Sequence, residues 1–181
     1  KSVYGSIVSQ SDYDDKVRWT RYMLQNMDAD VISFQELWSK SCLDEVFDSG
    51  NLDGYTLHYI KDSWGGIAVA LAVRSPWKVK EDGLEIIKNL PFSQLVKVDE
   101  QDDEDDEVSV SINRFSRSII KATIEHSQHA DIDDITVFNC HLKAKLPTRV
   151  DNISDLHQDA IGAAVSTIRR TAEAAALRML V

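Results

Sequence analysis

Only two cysteines, Cys42 and Cys140, occur in 181 residues, far apart and without the paired spacing of a metal-binding knuckle. That argues against a disulfide scaffold and a cysteine zinc site. A chain of this length folds by burying about 70% of its unfolded surface and needs no covalent staples, so both thiols are expected free and buried. No apolar run approaches the roughly 20 residues that a membrane-crossing helix requires. The opening Lys1-Ser2-Val3-Tyr4-Gly5 has no hydrophobic core of the signal-peptide kind, which leaves secreted and cytoplasmic locations both open. Lysine and arginine are outnumbered 20 to 30 by aspartate and glutamate, so the broad basic face needed to wrap DNA is missing. There is no Gly-x-Ser-x-Gly elbow for a serine hydrolase. Gly65-Gly66 precedes a strand-like run and not a helix, which makes it a turn and not a phosphate-cradling loop.

The net charge of -10 is itself unevenly spread. Residues 99–107 hold eight carboxylates and no cation, and without them the formal charge is -2. Such a run repels itself and buries nothing, so it is expected as a solvated acidic loop within a single domain over 1–181. The remainder is nearly balanced, and an anionic substrate is not excluded, because a site works through its local field.

Hydrophobic periodicity organises the rest. Val17, Thr20, Met23, Leu24 and Met27 recur at helical spacing and predict a helix over 12–27 capped by Ser11 or Asp12. A second short helix is expected over 41–47, with Gly50 suited to a left-handed cap. The period then changes to two. Strands are expected over 31–34, 55–60, 67–73, 84–88, 108–112, 118–124 and 135–138, with 67–73 central because it is apolar throughout. A long helix from 154 to the C-terminus carries Leu156, Ile161, Val165, Ile168, Ala172, Ala175 and Leu180 on one face, and its alanines suggest close approach to a sheet. Helices at both ends with strands between favour a layered α/β or α+β fold with a mixed sheet flanked by helices.

Three polar outcrops interrupt otherwise apolar strands: Gln35-Glu36 after Asp30-Val31-Ile32-Ser33-Phe34, Arg117 within Phe115-Ser116-Arg117-Ser118-Ile119, and Asn139 with His141 in Val137-Phe138-Asn139-Cys140-His141-Leu142. A carboxylate can hold a hard cation, a guanidinium can grip phosphate oxygens in its planar fork, and an imidazole can donate a proton or hydrogen bond. Those are the parts of a metal-assisted attack on a phosphate ester. Each taken singly also has a structural reading, as a strand-end acid, a surface ion pair or a satisfied histidine.

In this order the segments resemble the endonuclease/exonuclease/phosphatase family, the metal-dependent phosphoesterases related to pancreatic deoxyribonuclease. Gly66-Ile67-Ala68-Val69-Ala70 and the run from Arg169 to Arg178 extend the resemblance over nearly the whole chain. The resemblance implies the N-terminal half of a four-layer α/β/β/α sandwich. It implies that Glu36 is the Mg²⁺ ligand, with Mn²⁺ an alternative, and that Gln35 supports it. Arg117 would sit on the substrate phosphate, Asn139 would order the site, and His141 would stabilise the transition state. Lys143, with Lys145, would add positive charge at the mouth, against the reading of an exposed basic loop. Ser118 stands where many relatives carry proline.

Relatives also carry an early metal-site Asn, a Gly-Asp-x-Asn segment and a terminal Asp-His pair. These 181 residues contain none of the three, so no general base is in view and the chain alone is expected to be inactive. The partners implied are a phosphate ester, either nucleic acid or a small phosphodiester, together with the second half of the sandwich. The alternative is a non-catalytic half that pairs with a second copy or a partner to cover its exposed sheet face. His126-Ser127-Gln128-His129 has metal-like spacing but only Asp131 beside it, and reads as a polar turn.

Overall fold

A computed structural model describes residues 9–48, 52–64, 66–92, 94–96 and 109–181. The acidic run 99–107, Gly50 and Gly65 lie outside the described residues. The fold is mixed α/β. Described elements run α1 (Gln10–Met27), β1 (Val31–Leu37), α2 (Lys40–Phe47), β2 (Tyr55–Ile60), β3 (Ala68–Arg74), β4 (Trp77–Asn89), β5 (Gln94–Val96), β6 (Ser109–Ser111), β7 (Arg114–His126), β8 (Ile135–Asn139) and α3 (Asp155–Leu180). They form three-stranded sheets of order β1-β3-β2 and β4-β7-β8, and a β5-β6 ribbon. The chain divides into two compact units, Lys1–Glu85 with Ile120–Asn139, and Ile86–Ile119 with Cys140–Val181.

In the first unit β3 is the organising strand. Ala68 to Val73 are 0–2% exposed, as an uninterrupted apolar run requires of a central strand. β1 and β2 both pair antiparallel to it, in the registers Ile32↔Ala72 and Leu57↔Ala72. They therefore run parallel to each other, linked through α2, with β3 inserted between them. In the second sheet Ala122 faces Val137 across an antiparallel β7–β8 pair. Lys78 meets Glu125 at 3.0 Å and Lys121 meets Glu85 at 3.1 Å, so numbering rises along β4 as it falls along β7. The mixed strand directions expected from the sequence are thus replaced by antiparallel neighbours, because among the described residues no helix joins two adjacent strands.

α1 and α2 cover one face of the first sheet. Val17, Leu24, Leu43, Val46 and Phe47 pack with Ile32, Leu52, Ala70 and Ala72. Phe47 makes edge-on contacts with Phe34 and Tyr55 at 5.9 and 5.3 Å between ring centres. α1 starts two residues before the expected position. Ser9, not Ser11 or Asp12, is its cap, and accepts from the Asp12 amide while the Asp12 carboxylate accepts from the Ser9 amide. α1 ends on Asp28, and Arg74 ties Asp28 and Asp30 at 2.8 and 2.7 Å, which fixes the entry to β1.

In the second unit α3 begins at its cap Ser154 but turns a different face inward from the one expected. Of the expected face Ala172 is buried, together with Gly162, Ser166, Glu173 and Ala176, while Leu156, Ile161, Val165 and Ile168 remain 39–86% exposed. The reason is close approach. A Cβ at Gly162 would collide with the Thr148 carbonyl, and Ser166 Oγ donates to the Leu146 carbonyl at 2.8 Å. Small side chains admit the 146–148 backbone where leucine would hold it off.

His58, half-buried in β2, has an imidazole pushed below its ordinary 6.5 by burial. Its Nε2 has no hydrogen-bond partner among the described residues. Below pH 6.5 the unfolded chain takes up a proton that the folded chain refuses, so stability falls as pH drops through 6.5 and levels off under the lowered folded value. Urea midpoints measured from pH 8 to 5 should show that fall, and His58→Gln should flatten it.

Candidate functional site

Glu36 lies where the β1–β3 ladder breaks. Pairing runs regularly from Val31↔Val73 to Phe34↔Ala70 and resumes at Leu37↔Ala68, so two residues of β1 face one of β3. That is a β-bulge, and it turns the backbone of Glu36 into the left-handed region, φ 60°. The other described non-glycine residues with positive φ are Asp28, Asp82 and Asn152. Aspartate and asparagine tolerate this conformation through local side-chain hydrogen bonds, and glutamate gains no such help. Both Gln35 and Glu36 are exposed. The bulge therefore presents a carboxylate to solvent at a backbone cost of about 1–2 kcal/mol.

Asn139, at the end of β8 and 2% exposed, holds the intact side of this break. Its Nδ2 donates to the Ala70 carbonyl at 2.7 Å and the Phe34 carbonyl at 3.3 Å, the last regular pair before the bulge. With the nitrogen committed to two carbonyls the amide orientation is fixed. Its Oδ1 is buried with no hydrogen-bond partner among the described residues. Asn139 thus ties β8 to the Phe34–Ala70 pair beside the bulge.

Arg117, His141 and Lys143 belong to the second unit, and each is half-buried there. Lys143 is not the freely exposed residue of a basic loop; its neighbour Lys145 is exposed. The Lys143 amide donates to Glu173 Oε2 at 2.6 Å, and its Nζ donates to the Leu146 carbonyl at 3.3 Å. Burial, then the Arg117 and Arg169 charges, push its ammonium below the ordinary value, and Glu173 pulls it partly back. The lysine therefore lies within the field of two arginines and of the Glu173 carboxylate.

Glu173 is the residue that sequence reasoning missed. It is fully buried and accepts from the Ser116 amide and hydroxyl at 2.7 and 2.6 Å, from the Lys143 amide at 2.6 Å and from Arg169 Nε at 3.3 Å. It thereby clamps the residue before Arg117 and the residue two after His141. The available signal was a lone acid among alanines, four residues after Arg169. Ser118, where proline was expected from the resemblance, is fully buried inside β7.

Cys42 and Cys140 form no disulfide and are half-buried, less enclosed than expected, and burial pushes the Cys140 thiol up to about 11. His126 Nδ1 accepts from the His129 and Gln128 amides at 3.1 and 3.3 Å, the arrangement of a polar turn. Among the described residues no three His, Cys, Asp or Glu side chains gather to hold a metal, and no helix is long and apolar enough to cross a membrane. The donors that suit a hard cation are oxygen atoms taken singly, the Glu36 carboxylate first and the orphaned Asn139 Oδ1 second.

Comparison with family models, curated proteins and solved structures finds no match to this chain. Two substitutions test the clamps. Asn139→Ala leaves two buried carbonyls without their donor and should cost about 1–3 kcal/mol in urea unfolding. Glu173→Ala orphans two amides and a partly buried guanidinium, and should cost about 3–5 kcal/mol. Equal stability of either variant and the parent chain would overturn the corresponding clamp.

Proposed function

We propose that this chain is part of a metal-dependent phosphoesterase acting on nucleic acid or a small phosphodiester, built on half of a four-layer α/β/β/α sandwich. The observation that carries the proposal is the strained, exposed Glu36 on a bulge fixed by Asn139. A glutamate kept in a conformation that glycine or asparagine would adopt more easily is kept for its carboxylate. The cationic group of Arg117, Lys143 and Arg169 supports the same reading, because it suits an anionic substrate.

The Glu36 carboxylate would hold Mg²⁺, a hard cation that takes oxygen ligands, with substrate and water as its further ligands. When bound, the ion supplies Lewis-acid polarisation of the phosphoryl group. Gln35 flanks the carboxylate. Arg117 binds the non-bridging phosphate oxygens through its planar fork, and Lys143 adds a point charge for the same anion. His141 donates a hydrogen bond to the oxygen on which charge develops. Among the described residues none is assigned the part of water-activating base, so the proposal leaves that part to the second half of the sandwich and expects little turnover from these 181 residues alone.

Titrating Mn²⁺ into the isotopically labelled chain should broaden the amide signals of residues 34–37, and Glu36→Gln should abolish that broadening. With the Gly-Asp-x-Asn half supplied in cis or as a second fragment, Glu36→Gln or His141→Ala should lower kcat/KM for a phosphodiester at least 100-fold. Undiminished hydrolysis by both variants would remove the assignment.

A second reading is a non-catalytic chain that pairs with another copy of itself, favoured by the apolar residues exposed on α3, Leu156 at 86% and Met179 at 64%. Sedimentation of a monomer at all concentrations up to 100-fold above the nanomolar range would exclude it.

A further inference from the structure

The second unit holds a cavity of about 430 Å³ lined by Asn89, Ser111, Ile112, Asn113, Arg114 and Arg169. Glu36, Gln35, Arg117, Asn139, His141 and Lys143 do not line it; Arg169 does, and it also belongs to the cationic group named above. Five of the six lining residues are polar, two are arginines and none is acidic. Apolar ligand pockets are lined the other way, with a few polar groups set among hydrophobic ones. Asn89 closes β4 and Asn113 precedes β7, and the Leu90 amide donates to the Asn113 carbonyl at 3.0 Å. The two sides of the cavity are therefore fastened by backbone.

Arg169 is held in place before any ligand arrives. Its Nε donates to Ser116 Oγ at 2.9 Å and to Glu173 at 3.3 Å, and its Nη2 donates to the Arg114 carbonyl at 3.1 Å. Nη1 has no hydrogen-bond partner among the described residues. A guanidinium anchored along one side, with donor capacity remaining, spends little further entropy on gripping an oxyanion. Glu173 is shared with Ser116 and Lys143, so it does not take up the whole donor capacity of Arg169. Asn89, Asn113 and Ser111 add neutral donors of the kind that orient a tetrahedral anion.

We propose that this cavity binds a phosphate group, either of a free phosphate or phosphomonoester or of a polynucleotide backbone. Nothing in the proposal requires hydrolysis, and a chain with no catalytic activity would bind phosphate here all the same.

The test is a titration of the isotopically labelled 181-residue chain with inorganic phosphate at constant ionic strength, with sodium chloride as the control. Saturable amide shifts are expected at Asn113, Arg114 and Arg169. Arg114 is exposed, so Arg114→Ala should fold normally by circular dichroism and raise the phosphate Kd at least fivefold. Arg169→Lys keeps the charge, loses the planar fork, and should weaken binding by a similar factor. Arg117→Ala should leave these shifts unchanged, which separates this cavity from the proposed substrate-phosphate site. Displacement of phosphate by a thymidine oligomer would identify the backbone source, and failure to displace it the free one. Shifts that match the chloride control, or a Kd sensitive to Arg117→Ala and indifferent to Arg114→Ala, would overturn the proposal.

Discussion

Asn139 donates one amide nitrogen to two backbone carbonyls, Ala70 and Phe34, at the point where the first sheet stops being regular. Ladder hydrogen bonds satisfy backbone groups only while two strands stay in register, and a bulge leaves some of them to other donors. β3 is buried along its whole apolar length, so an unsatisfied carbonyl at Ala70 would be costly. A side chain from β8 meets that need. The bulge can then persist in β1 without weakening the centre of the sheet, and the strained Glu36 with it. The position of the carboxylate thus follows from an amide more than a hundred residues later in the chain.

The second unit solves the mirror-image problem with a carboxylate. Glu173 gathers two backbone amides, a hydroxyl and a guanidinium from three separate segments. A buried ion is expensive unless it is hydrogen-bonded, and here Oε1 accepts from three donors and Oε2 from one. Clamping Ser116 and Lys143 also concentrates positive charge, since Arg117, Lys143 and Arg169 come close enough for the lysine to register the two arginines. The acidity of the sequence as a whole is no guide to this region, because eight of its carboxylates lie together in 99–107.

Elements whose identity depends on local pattern were legible in the sequence. The apolar run of β3, the alternation of β2 and the amphipathic α1 all appear where periodicity places them. Expectation and structure part where long-range contacts decide. Strands β4 and β7 each run 13 residues, well past their apolar cores, because cross-strand ion pairs such as Lys78–Glu125 and Lys121–Glu85 support polar positions. On α3 a hydrophobic stripe suggested the wrong face, since close backbone approach favours glycine, serine and alanine over leucine. Gln35, Glu36 and Asn139 were visible as polar breaks in apolar strands. Glu173 was not, because a single acid in an alanine-rich helix has the pattern of a solvated surface and only its donors reveal its burial.

The bulge at Glu36 also bears on what kind of residue the position requires. A left-handed turn is relieved by glycine at no steric cost, and by asparagine or aspartate through local hydrogen bonds. Asp28, Asp82 and Asn152 follow that rule, and each is explained by backbone conformation alone. Glutamate has one more methylene than aspartate, so the same short bond to its own backbone is harder to close. Core packing does not repay the backbone cost at Glu36, because the side chain is exposed. Relative to aspartate it adds reach and relative to glutamine it adds charge, the two properties on which the proposed cation ligation rests.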